Sequence, residues 1–152
     1  NVQWVLENEG PRGRILVFAA NGHVMNEPPD GSSKAAALEK PLVMGSHLRR
    51  MFGKRLLIIG TSSPAVSEGL PAPKPIEGSS DETLARVGLP RMFLDLRMAR
   101  QDAAAFVWLS QQRPLLDVRT RSSITPSTAV DAFVFIDRLT PAAEIKTPVP
   151  AK

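Results

Sequence analysis

Arg14-Ile15-Leu16-Val17-Phe18-Ala19-Ala20-Asn21-Gly22-His23-Val24 is the stretch from which the fold is read. Ile15 to Ala20 is apolar without interruption. A run of that length without alternation suits a strand covered on both faces, as in a parallel sheet. Asn21-Gly22 then ends the run, and both residues tolerate the positive φ of a tight turn. That places His23 just past the carboxyl end of the strand, where open α/β sheets bind their ligands.

Working outward, residues 1–9 read as a helix stopped by Gly10-Pro11, with Val2, Val5 and Leu6 on one face. Residues 44–52 read as a second helix. Met44, Leu48, Met51 and Phe52 form its apolar stripe and Gly53 its C-cap. Further unbroken or alternating apolar runs follow at residues 56–59, 91–96, 114–118 and 130–139. Between them, Ser79 with Glu82 three residues on has the form of a capping box, and Asp102 caps a helix carrying Ala105, Trp108 and Leu109. The fold class expected is α/β: a predominantly parallel sheet of about five strands flanked by helices. Only turn residues separate the last two strands, so the last one is free to run antiparallel.

The connections are unequal. Helix-to-strand returns are short, whereas residues 26–42 and 61–78 leave the first two strands in long Pro-rich loops. Loops of that length in a compact domain are usually functional or disordered. Both are expected on the face that carries His23. Residues 1–140 are read as one α/β unit and the Pro- and Lys-containing residues 141–152 as a disordered tail.

The chain has 152 residues, 43% hydrophobic, with formal net charge +4 and no cysteine. The length is that of one domain. The absence of cysteine removes disulfides, thiolate metal sites and a thiol nucleophile, and fits a reducing compartment. No apolar run approaches the roughly 18 residues of a membrane span, so no membrane partner and a cytoplasmic location are expected. The arginines are scattered, without aromatic residues between them, so no nucleic-acid surface is expected.

No G-x-G-x-x-G follows the first strand, no Walker A sequence occurs, and no G-x-S-x-G elbow is present. Gly45-Ser46-His47 lacks the second glycine of that elbow. His23 and His47 do not form an i, i+4 metal pair, and neither metal nor cofactor is expected. His47 reads as an ordinary helix histidine. His23 is the candidate for proton transfer or hydrogen bonding near neutral pH. Asp95 and Arg97, in Leu94-Asp95-Leu96-Arg97, lie late in a strand on one side of it. Asp95 is a candidate to orient a histidine and Arg97 to bind a substrate carboxylate or carbonyl.

Taken together and in order, Trp4-Val5-Leu6, residues 13–24, Met44-Gly45-Ser46-His47-Leu48-Arg49, Leu56-Leu57-Ile58-Ile59-Gly60, Phe93-Leu94-Asp95-Leu96-Arg97, residues 131–137 and Thr140-Pro141 resemble the carboxyl-terminal part of the erythromycin esterase family. That family includes succinoglycan biosynthesis-type proteins. The resemblance covers residues 1–142. It implies metal-independent hydrolysis of a lactone or other small-molecule carboxylic ester, assisted by histidine. It implies that an essential histidine and glutamate belong to an amino-terminal half, so these 152 residues alone are expected to be inactive. In the family's His-Asn-x-His motif, the asparagine corresponds to Asn21 and the second histidine to His23. The first histidine falls on Ala20. His23 is then a supporting catalytic residue, with Asn21, Asp95 and Arg97 as binding residues. The readings left standing are an esterase-like hydrolase, a ligand-binding relative that has lost turnover, and an unrelated flavodoxin-like α/β module.

Overall fold

The structure, a computed structural model, describes residues 1–27, 42–64, 76–116 and 121–139. Most of the two long loops, with the face expected for them, and the tail beyond residue 139 lie outside the described residues.

The chain opens with α1 (Val2–Asn8), which turns Val2 and Leu6 inward and ends before Gly10 at φ 79°. Residues 14–20 correct the first expectation: they form no strand. Their burial alternates, with Ile15, Val17 and Ala19 half-buried while Leu16 is 88% and Phe18 92% exposed. The apolar run expresses a capacity for burial on two faces, but only one face is covered. Asn21-Gly22 is a second correction. Instead of a positive-φ turn it begins a helical turn, α2 (Asn21–Val24), and Gly22 is not among the left-handed glycines.

The helix α3 (Met44–Phe52) has the bounds the sequence predicts, and Gly53 ends it at φ 52°. Of its expected stripe, Leu48 is buried, Met44 and Phe52 are half-buried and Met51 is exposed, while Gly45 and Ser46 are buried beside it. Gly45 lets a neighbouring helix approach closely. A Cβ there would stand 2.0 Å from the Val24 carbonyl oxygen and 2.2 Å from that of Met25, so α2 and α3 cross backbone to backbone.

Among the described residues the main sheet has three strands, where about five were expected, in the order β1 (Ile59–Ser62), β5 (Ala132–Ile136), β2 (Arg91–Asp95). The pair β1–β5 is parallel, with Ile59 opposite Ala132 and Ser62 opposite Phe135. The pair β2–β5 is antiparallel, with Asp95 opposite Ala132 and Arg91 opposite Ile136. The sheet is therefore mixed, with the last strand at its centre. The run at 114–118, expected in this sheet, instead supplies β3 (Arg113–Leu116) of a separate antiparallel hairpin with β4 (Arg121–Ile124).

The helices between strands are capped as their sequences predict. Ser79 accepts the Glu82 amide at 3.0 Å to open α4 (Ser80–Ala85), and Asp102 accepts the Ala105 amide at 2.8 Å to open α6 (Ala103–Leu109). The Glu82 carboxylate accepts from Gly78 N, not from the cap residue itself, at 2.7 Å. A 3-10 turn over Gly53–Arg55 and two short helices, α5 (Leu96–Ala99) and α7 (Pro126–Ala129), complete the described elements.

One sheet face carries Phe133 and Phe135, each 1% exposed, and packs with Leu84, Leu109, Leu115 and Ile124 as the core. The other face carries Ile59, Thr61, Val134 and Ile136 and is only partly covered. It borders a cavity of about 720 Å³ whose far wall is α1, residues 15–19 and α3. Beside it, Asp131 joins three elements: its carboxylate accepts from Arg49 and, at 2.8 Å, from Ile58 N, while Arg49 also donates to the Gly53 and Leu56 carbonyls at 2.9 Å.

Candidate functional site

The outer edge of β1 has no strand partner among the described residues, and the side chain of Asn21 occupies it. Thr61 N donates to Asn21 Oδ1 at 2.9 Å, and Asn21 Nδ2 donates to Thr61 O at 2.7 Å. Thr61 Oγ1 adds a donation to Asn21 Oδ1 at 3.1 Å. A primary amide offers one acceptor and donors on adjacent atoms, so it reproduces the pairing that a neighbouring strand would make. This fixes the start of α2 at the carboxyl-terminal half of β1.

The other end of α2 is tied as well. Asn26 N donates to Ala129 O at 2.9 Å, Asn26 Nδ2 to Thr128 O at 3.2 Å, and Ser46 Oγ to Asn26 O. Between these ties stands His23. Its backbone N–H donates to Ala20 O at 2.9 Å, and its side chain is exposed. Ala20 and His23 are thus one helical turn apart, a spacing that brings side chains to one side of the turn.

Asp95 and Arg97 are placed elsewhere. Asp95 lies level with Ala132 and Ile59, the first residues of β5 and β1, whereas Asn21 is held at Thr61 with β5 intervening between the two sites. The reason is strand direction. Because β2 runs antiparallel, its carboxyl end lies beside the amino ends of the other two. Asp95 there caps α5, accepting the Arg97 amide at 2.9 Å, and takes a two-point hydrogen bond from the Arg97 guanidinium at 2.9 and 2.6 Å. The Arg97 hydrogen bond chiefly, with the Arg97 charge and helix amides, holds the Asp95 carboxyl down at about 2. The structure brings Asn21 and His23 together and Asp95 and Arg97 together, but does not join the two pairs.

Two features at the carboxyl end of β1 went unread in the sequence. Thr61 holds Asn21, and its neighbour Ser62 donates to the Asp81 carboxylate at 2.6 Å, both residues being buried. Asp81 carried a signal only as a first-turn acid of α4. His47, by contrast, is the ordinary exposed helix residue its position implies.

Asn21 and Thr61 also lie on the wall of the cavity, where Arg55 is a charged residue and the remaining lining is overwhelmingly apolar. Arg55 itself lies over the Phe52 ring, 5.7 Å from its centroid. Such a site suits an apolar ligand with one polar group to be oriented. Among the described residues no group of three or more His, Asp or Glu is placed to hold a metal ion, and no helix is long and apolar enough to cross a membrane.

The family profile described as erythromycin esterase matches residues 1–139. A Bacillus cereus protein of known structure superimposes over 89% of the chain with TM-score 0.71 and 25% identity. A structure described as a succinoglycan biosynthesis protein superimposes over 91% with TM-score 0.74 and 22% identity, a likeness of fold. The chain spans 36% of the length of each. No curated protein matches it in sequence.

Proposed function

The chain belongs to the erythromycin esterase family, and from that membership we propose that it serves in the hydrolysis of a small-molecule carboxylic ester or lactone. Water adds to the carbonyl carbon, a tetrahedral oxyanion forms, and collapse releases a carboxylic acid and an alcohol. In a lactone the two remain joined as a hydroxy acid. The observation that carries the reading is the tethered turn α2, which holds Asn21 on the wall of an apolar cavity at the carboxyl end of β1, with His23 exposed two residues further along the turn.

His23 acts as the supporting group, hydrogen-bonding the attacking water or the oxyanion. The base that removes the water proton comes from the part of the family fold outside these 152 residues, so the chain alone is proposed to be inactive. Macrolide inactivation, and with it antibiotic resistance, is one form the reaction takes if the lactone is large. The test is hydrolysis of aryl esters and lactones by a family-length polypeptide carrying these residues, beside its His23→Ala variant. Turnover that falls in the variant supports the reading, and no turnover of any ester removes it.

One observation favours a second reading. Ala20 stands where the family motif has its first histidine, and an alanine has no proton to exchange. On that reading the site binds an ester-like ligand without cleaving it, and a binding measurement without product formation identifies it.

A further inference from the structure

We infer that Asn21 is the oxyanion donor of this site and that its substrate is an ester whose apolar body lies in the cavity beside it. This inference rests on the esterase reading above. The orientation of the Asn21 amide follows from its partners. Thr61 N–H can only donate and Thr61 O can only accept, so Oδ1 faces the first and Nδ2 the second. Oδ1 is then occupied twice, at 2.9 and 3.1 Å, and one Nδ2 hydrogen is used on Thr61 O at 2.7 Å. The second Nδ2 hydrogen has no partner among the described residues. In a two-point amide pair the hydrogen syn to the oxygen closes the ring, so the free one is the anti hydrogen, directed away from the β1 edge.

Three properties suit that hydrogen to a developing oxyanion. It is fixed, because the amide is pinned to the backbone of a strand that is itself paired with β5, and little reorganisation accompanies the reaction. It is neutral, so it favours a neutral ester only weakly and the negative tetrahedral adduct much more. Asn21 lines a largely apolar cavity, and walls of that kind strengthen a hydrogen bond to charge once a ligand has displaced the water. The walls contributed by Ile15, Val17, Val24, Leu48 and Val134 accept hydrocarbon, which selects an acyl chain or lactone ring over a charged substrate.

The test separates donation from mere clamping of the strand. The protein, 15N-labelled at asparagine side chains, is titrated with an aryl alkylphosphonate monoester, a tetrahedral anion that stands in for the adduct. Expected is a downfield shift of the anti proton of Asn21 with the syn proton nearly fixed. The Asn21→Ala variant is expected to bind the phosphonate about 10²-fold more weakly while binding a neutral ketone of the same shape nearly as well. No binding of the phosphonate, an unmoved anti proton at saturation, or equal weakening of both ligands overturns the inference. Phosphonate binding at Asn21 without ester turnover instead defeats the esterase reading and leaves the anion donor standing. Ester turnover with an unmoved anti proton defeats the donor alone.

Discussion

Asn21 and Thr61 are joined as two strands would be, except that one partner is a side chain. The amide of Asn21 meets both backbone polar groups of Thr61, at 2.7 and 2.9 Å, across 40 positions of sequence. Residues 14–20 lead directly into this join but stay off the edge of β1. The join therefore anchors α2 to the sheet without help from the apolar run before it.

Removing the amide tests that anchor. Asn21→Ala leaves a strand N–H and C=O to water in place of the amide, at a cost of about 0.5–1.5 kcal/mol. Asn21→Asp keeps an acceptor for Thr61 N–H but sets a carboxylate oxygen against the Thr61 carbonyl, so it is expected to be no better than alanine. Equilibrium urea unfolding measures both, and a wild-type midpoint for either variant removes the anchoring role.

His23 gives the opposite expectation. Its side chain is exposed and makes no hydrogen bond among the described residues, so His23→Ala should change stability by no more than about 0.5 kcal/mol. In a family-length chain, kcat for an aryl ester should fall about 10²–10³-fold, the loss typical of one hydrogen-bonding group at a developing charge. Thermal melting and steady-state kinetics on the same preparations decide it. A lowered melting temperature with intact kcat makes His23 a loop residue.

The Asp131 junction predicts a larger stability effect. Asp131→Ala strips Ile58 N–H and the Arg49 guanidinium of a shared partner and should cost about 2–4 kcal/mol. Asp131→Asn retains an acceptor for Ile58 and should cost roughly half of that. Denaturant unfolding that ranks the two variants equally would show the charge, not the acceptor, to be what matters.

The Asp95–Arg97 pair predicts acid sensitivity. The folded carboxyl sits at about 2, below its ordinary 3.8. The unfolded chain therefore takes up the proton first as pH falls. The stabilisation is complete above about pH 4 and is lost progressively toward pH 2. Glu82, lowered by the Gly78 amide and then Arg86, adds in the same direction. Unfolding midpoints between pH 6 and 2 should fall less steeply for Asp95→Asn than for wild type, and parallel curves would contradict the linkage.

These residues also show how far the sequence could be read. The bounds of α3 and the caps Ser79 and Asp102 were legible because their signals are local: a stripe, a glycine, and an acceptor within three residues of its amide. Strand partners were not. The reversed direction of β2 depends on its register against residues 132–136, and no residue within 91–95 records it. That one non-local fact separates Asp95 and Arg97 from His23. The apolarity of residues 14–20 likewise states what the run can bury, not what covers it. The turn read at Asn21-Gly22 became a helical turn, and the amide pairing of Asn21 required Thr61 to be placed.

Ala20 supplies the last prediction. Its carbonyl accepts His23 N at 2.9 Å and Val24 N at 3.3 Å, and its backbone is extended at φ −61° and ψ 151°, a conformation open to any side chain. The residue is exposed, so an imidazole there displaces no core and should leave stability within about 0.5 kcal/mol. It would stand one turn from His23. In a family-length chain, Ala20→His should raise lactone turnover about 10²-fold or more, the usual contribution of a positioned proton-transfer group. The gain should follow the deprotonation of a histidine and vanish in Ala20→His combined with His23→Ala if the two act as a pair. Turnover that stays at the wild-type level, with ligand affinity unchanged or tighter, would favour the ligand-binding reading: the cleft would then hold an ester without the groups to cleave it.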